Sequence, residues 1–252
     1  MGRLIKFTLM AILALQPAVA SEAPWRAKLA AAMDSPIRTG AEKARDANRR
    51  PAQTLEFMQF RDDLRVLELF PGTGWYTKLL APVLAERGEL YLALSTNRIQ
   101  AVIERTPELA TARVLDINPP MISTGVRGVF DLESFSFWIE DLDLVITFRN
   151  AHNLTPAGRV NLNQAVYEAL RPGGLYGIVD HSRRHMEPDG EENRRRVDPV
   201  RLIHEVLQSG FEFVGWSDLH YRPDDELRYE VGRRSVKGNS DRFTLLFKKP
   251  AD

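Results

Sequence analysis

Arg65-Val66-Leu67-Glu68-Leu69-Phe70-Pro71-Gly72-Thr73-Gly74-Trp75-Tyr76-Thr77-Lys78-Leu79-Leu80 is the stretch that decides the fold. With Leu64, the residues Val66, Leu67 and Leu69 form a short apolar run, the pattern of a strand buried on both faces. Pro71, Gly72 and Gly74 break it. Tyr76, Leu79, Leu80, Val83 and Leu84 then recur at helical spacing. Strand, glycine turn and helix make the first unit of a doubly wound α/β domain. Two glycines let the chain reverse tightly and leave bare backbone for a ligand. Such a turn lies at the carboxyl end of a parallel strand, where these sheets bind ligands. A glycine pair alone is equally compatible with a turn that holds nothing.

Downstream, Gly88 is expected to cap the first helix. Glu89 to Leu94 reads as a second buried strand, Ile99 to Glu108 as a helix, and Ala112 to Asp116 as a third strand. Residues 119–140 read as a hairpin or loop, with Phe130, Phe135, Phe137, Trp138 and Ile139 packed on the sheet. Asp143 to Phe148 is the fourth strand, followed by Arg149-Asn150-Ala151-His152-Asn153-Leu154. Thr155-Pro156 caps a helix with Val160, Leu162, Val166 and Leu170 on its apolar side. Leu170-Arg171-Pro172-Gly173-Gly174 turns into a fifth strand ending at Asp180-His181. Glu187 to Arg196 reads as a mobile loop. Asp198-Pro199 caps a helix predicted to turn Val200, Ile203, Val206 and Leu207 inward. Phe211 to Trp216 and Phe243 to Phe247 are then an antiparallel closing pair. The expected fold is α/β: a doubly wound, Rossmann-like seven-stranded sheet, mostly parallel.

Upstream, Trp25, Leu29 and Met33 have helical spacing, and Arg45 to Phe57 reads as helix, proline, helix. At the N-terminus Arg3 and Lys6 precede an apolar core from Phe7 to Leu15, and Ala18-Val19-Ala20 is a small-residue cleavage site before Ser21. That is the layout of a secretory signal peptide, and the run is too short to span a bilayer. The expected organisation is a signal peptide over 1–20, a helical lid segment over 21–62 and one domain over 63–252. The mature chain is expected in the periplasm or secreted, with no stable membrane insertion.

Composition excludes several classes. The chain has 252 residues with 34 basic and 34 acidic side chains. Removing the leader leaves 32 basic against 34 acidic. No long-range field steers it to nucleic acid, and Arg194-Arg195-Arg196 is too small a patch to bind one. The absence of cysteine removes disulfides, thiolate metal sites and cysteine nucleophiles. His181 and His185 with Asp180 have metal-ligand spacing only if they lie on a helix, and a strand end with a polar loop is expected there. No metal is assigned.

Glu68-x-x-x-Gly72-x-Gly74 resembles the first motif of class I methyltransferases that use S-adenosylmethionine (SAM). Leu170-x-Pro172-Gly173-Gly174 resembles the family's turn into the fifth strand. Arg45, Asp46, Arg49, Pro51, Thr54, Leu55 and Phe57 match an R-D-x-x-R-x-P-x-x-T-L-x-F segment in a group of exported proteins predicted to be methyltransferases. The resemblance covers about residues 45–248. It implies that SAM is the cofactor and that Glu68 anchors the loop or the methionine amino group. It also implies that Gly72 and Gly74 admit the cofactor, and that Asp116 takes the adenine amino group. A surface-turn role for Asp116 stays open. Two departures stand out. Phe70 occupies the first family glycine, and Leu94 falls where a ribose-binding acid is expected, leaving Ser95 or Asn97 to replace it. His152 and Asp180 are candidate bases. Arg49, Tyr76, Arg149 and His181 are candidate contacts to a small-molecule acceptor, and Arg49 is expected in a lid, facing a carboxylate. A structural role for His152 stays open, as does a non-catalytic binding protein on the same scaffold.

Overall fold

Alternation along the apolar strands distributes their side chains to two faces of one sheet, and each face carries its own core. The computed structural model describes residues 23–251 except 118; the expected signal peptide lies outside the described residues. The chain runs through helices α1 (Pro24–Asp34), α2 (Gly40–Lys43), α3 (Asp46–Arg49) and α4 (Pro51–Phe57). Then come β1 (Arg65–Leu69), α5 (Thr77–Leu84), β2 (Glu89–Ala93), α6 (Asn97–Ile103) and β3 (Ala112–Val114). A hairpin of β4 (Met121–Ser123) and β5 (Phe130–Leu132) precedes β6 (Leu142–Phe148), α7 (Pro156–Ala169) and β7 (Leu170–His181). The chain ends with α8 (Pro199–Gln208), β8 (Glu212–Ser217) and β9 (Arg242–Lys248).

The main sheet has seven strands in the order β3-β2-β1-β6-β7-β9-β8. Pairings from β3 to β7 are parallel, and β9 runs antiparallel to both β7 and β8. This is the expected doubly wound, mostly parallel sheet with its antiparallel closing pair. Strand order reverses between β1 and β6, so the loops after these two strands diverge and leave a crevice. The glycine turn and Arg149-Asn150 are those two loops.

Val66, Leu144 and Ile146 face one core with α1, α4, α5 and α6; Leu67, Leu69 and Val145 face the other with α7, α8 and the hairpin. Trp25, Leu29, Leu55, Met58 and Phe60 are buried in the first core. The segment expected as a lid is therefore anchored in the core. A capping box between Thr39 and Glu42 starts α2. Lys78 donates to Glu42 at 2.8 Å, and the Trp75 indole donates to the Glu42 carbonyl at 2.9 Å. These contacts tie the segment to the residues that follow the glycine turn.

Three local expectations need correction. Gly88 is no left-handed helix cap; a Cβ there would fall 2.7 Å from the Leu64 carbonyl, so close approach to the start of β1 requires glycine. On α8 the inward residues are Leu202, Glu205 and Val206, while Val200 and Leu207 are exposed. Glu205 is drawn inward by a two-pronged, buried pair with Arg159 at 2.6 and 2.7 Å, which apolar periodicity cannot register. On α7, Val160 is exposed because the buried face runs through Arg159, Leu162, Asn163 and Val166.

Candidate active site

The turn after β1 does what the sequence pattern demands, in an unexpected way. Phe70 takes φ 51°, a left-handed conformation that costs a non-glycine residue of order 1 kcal/mol. It stands where the resembled pattern has a glycine, the residue that takes such a φ without strain. Gly72 has φ 63°, and a Cβ on it would meet nothing within 4 Å: the backbone faces open space. Gly74 differs. Its φ is 83°, but a side chain would collide with Ile99 of α6, so Gly74 admits a neighbouring helix and lines no cavity.

Three cavities lie side by side across the carboxyl ends of the strands. The first, about 930 Å³, is bordered by Phe70, Gly72, Ser95, Asn97, Asp116 and Asn150. The second, about 260 Å³, shares Phe70, Gly72 and Asn150 with it and adds Arg49, Glu68, Tyr76 and Arg149. The third, about 830 Å³, shares Arg45, Arg49 and Arg149 with the second and adds His181 and Arg242. The trough thus runs from the ends of β2 and β3, over the switch point, to the ends of β7 and β9.

Glu68 ends up 3% exposed, with the Thr77 hydroxyl donating to it at 2.6 Å. Burial raises its carboxyl to about 7, against the opposing pulls of Thr77 and Arg49. Tyr76 stacks on Phe148 with 3.5 Å between ring centroids and 9° between planes. Arg49 lies over Trp75, its guanidinium carbon 4.3 Å from the ring centroid. The Arg49 carbonyl accepts from the Thr54 hydroxyl at 3.0 Å and contacts His220 Nε2 at 3.0 Å, which fixes the end of α3. Burial first, then repulsion from Arg149, pushes the Arg49 guanidinium down to about 8. Arginine keeps its proton in proteins, so Arg49 is a buried positive charge with the Arg149 charge acting on it.

Asp180 is wholly buried and lines none of these cavities. It accepts from His152 Nδ1 at 2.6 Å, from the His152 backbone at 3.1 Å and from the His181 backbone at 2.7 Å. The expectation that Asp180 is a base facing the cleft is therefore corrected: it is buried and fixes the His152 ring. His152 borders a fourth cavity of about 450 Å³ with Arg159 and Arg201, apart from the Gly72 corner. Its ring centroid is 5.6 Å from that of His181, which borders the third cavity. Burial first, and then the positive charges of Arg149, Arg242 and Arg196, push the His181 imidazole well below its ordinary value, so it is neutral at pH 7. His181 Nδ1 contacts the Ser240 hydroxyl at 2.9 Å and His185 Nδ1 contacts Asp198 at 3.0 Å; the two histidines do not converge on one point.

Leu94 also departs from expectation. It takes φ 66° and is buried in the second core, so its side chain points away from the trough. Ser95, φ 53°, is the exposed residue that faces the first cavity, opposite Asp116. Arg242 and Phe148 were not anticipated. Arg242 opens β9, and nothing near it in sequence marks it as the neighbour of His181 on β7.

No protein-family model matches the sequence, and no curated protein matches it. Solved structures do. A SAM dependent methyltransferase from Aquifex aeolicus superposes with TM-score 0.56 at 15% identity, covering 88% of this chain and 97% of that one. The fold is that of the class I SAM-dependent methyltransferases. The glycopeptide N-methyltransferase MtfA complexed with SAM gives TM-score 0.51 at 15% identity, over 81% of this chain and 94% of that one. The [4+2]-cyclase SpnF gives 0.59 at 12% identity, over 91% and 97%. The methyltransferase fold thus carries more than one chemistry among these neighbours.

Proposed function

We propose that the protein is an exported SAM-dependent methyltransferase acting on a small molecule. The observation that carries this reading is the Gly72 corner. Bare backbone faces open space at the sheet's switch point, between a cavity large enough for a nucleoside and a second compartment for an acceptor. The residues present fit the cofactor. Ser95 and Asp116 offer polar groups to a nucleoside, Glu68 stands beside the Gly72 backbone, and Arg45 and Arg49 await a carboxylate.

When bound, SAM supplies a methyl group on a positively charged sulfur, open to attack by a nucleophile. The chain's own contribution is position and exclusion of water. Tyr76 and Phe148 wall the narrow second cavity, and Arg49 closes it from α3. His152, whose Nδ1 is held by Asp180, borders a separate cavity and not the trough, so this reading assigns it no proton transfer with an acceptor bound there.

Mass spectrometry of ligand released from freshly purified protein tests the reading. SAM or its demethylated product supports it; a different small molecule in the trough overturns it. A second reading, a non-catalytic binding protein on this scaffold, is favoured by one observation. The end of β2 offers Leu94 to the core and no carboxylate to a ribose.

A further inference from the structure

We propose that the methyl acceptor is a small polyanion, bearing carboxylate or phosphate groups, bound in the cavity at the ends of β6, β7 and β9. The proposal rests on the methyltransferase reading and adds the substrate class. Six arginines are buried among the described residues. Four have a carboxylate partner: Arg38 with Asp46, Arg159 with Glu205, Arg183 with Asp189 and Arg196 with Asp225. The two without one, Arg49 and Arg242, border the same cavity. Arg45, Arg149 and Lys237 border it too, and none of them has a carboxylate within 4.0 Å among the described residues. Nearby acids are already engaged: Asp180 holds His152, Glu230 pairs with Arg195, and Asp241 accepts from the Arg222 backbone.

Buried cations without a carboxylate partner are costly unless a ligand completes them. The cofactor does not. It brings one carboxylate, enough for one guanidinium, and it adds a positive sulfur to the same trough. Several negative charges are still needed, and they must come from the other occupant. The Arg242 side chain donates to the Asn48 carbonyl at 2.8 Å, and its Nε is buried with no hydrogen-bond partner among the described residues. A planar guanidinium matches carboxylate and phosphate oxygens two at a time. At about 830 Å³ the cavity suits a small molecule.

The test is calorimetric titration of the mature protein at low salt with citrate and with pyrophosphate, each with and without S-adenosylhomocysteine. Comparing citrate with pyrophosphate separates carboxylate from phosphate recognition. At least one should bind, with affinity about 10–100-fold weaker in Arg242→Gln, since a hydrogen bond to a charged group carries that much. Lys237→Gln, on the exposed rim, should weaken it about 3–10-fold and keeps the test valid if Arg242→Gln does not fold. Arg87→Gln, at the opposite end of the sheet, should bind as the parent does. Binding of S-adenosylhomocysteine with neither anion bound at millimolar concentration overturns the proposal and leaves the transferase reading intact. Anion binding equal in the parent, Arg242→Gln and Lys237→Gln also overturns it. Anion binding that depends on both residues, with no binding of S-adenosylhomocysteine, overturns the transferase reading and leaves the anion site standing.

Discussion

The Glu68 carboxylate at the end of β1 accepts a hydrogen bond from the Thr77 hydroxyl at the start of α5, 2.6 Å away, and both residues are buried. The pair closes the glycine turn like a clasp. Burial also holds the folded carboxyl near 7, above its ordinary 4.5.

That shift makes stability depend on pH. The folded value lies above the unfolded one, so the favourable contribution is complete below about 4.5 and is lost as pH rises through 7. At pH 8 the buried charge costs up to about 3 kcal/mol, taking 1.36 kcal/mol per unit. Glu68→Gln should match the parent at pH 4.5 and exceed it at pH 8. Urea unfolding at the two pH values reads the difference. A variant weaker than the parent at pH 8 would sink this account of Glu68.

Leu94 turns into the core, and Ser95 is the residue at the first cavity. Leu94→Asp places an acid in the second core and should destabilise the fold by about 3–5 kcal/mol without improving cofactor binding. Ser95→Asp keeps a left-handed conformation that Asp tolerates. It should tighten SAM binding about 10–100-fold through a charge-assisted contact to ribose. Calorimetry with thermal melts distinguishes the two variants. Tighter binding by Leu94→Asp and not by Ser95→Asp would reverse the assignment.

Asp180→Asn should lower stability by about 2–4 kcal/mol, because three donors converge on that carboxylate and the amide cannot accept from all of them. Asp180 borders none of the donor or acceptor cavities, so SAM affinity should change less than about threefold. A large loss of affinity at unchanged stability would place Asp180 in the cofactor site after all.

Export predicts a mature chain beginning at Ser21, after Ala18-Val19-Ala20. N-terminal sequencing of protein from its native cell checks this. Met1 retained in a cytoplasmic fraction would contradict it.

The sheet was legible because its strands are short apolar runs punctuated by Pro and Gly, and local pattern suffices for that. Gly72, Glu68 and Asp116, each singled out by the family resemblance, all line the trough. Leu94 was misjudged because two consecutive left-handed residues, Leu94 and Ser95, rotate the chain by one position, and no propensity predicts a left-handed Leu. Gly74 was assigned to the ligand because sequence does not show that Ile99 packs on it. Arg242 stayed hidden because it reaches the trough through a β7–β9 pairing 61 to 73 residues apart in sequence, and Glu205 because its partner Arg159 is on another helix.

The most direct measurement is calorimetric titration of SAM into the mature parent and into Gly72→Val, with circular dichroism to establish that both are folded. Saturable binding by the parent, weakened about 100-fold or more in Gly72→Val, is the predicted result, because a β-branched residue resists the positive φ and fills the open backbone corner. A folded parent that does not bind at millimolar SAM, or a folded Gly72→Val that binds as the parent does, would contradict a cofactor site at this turn.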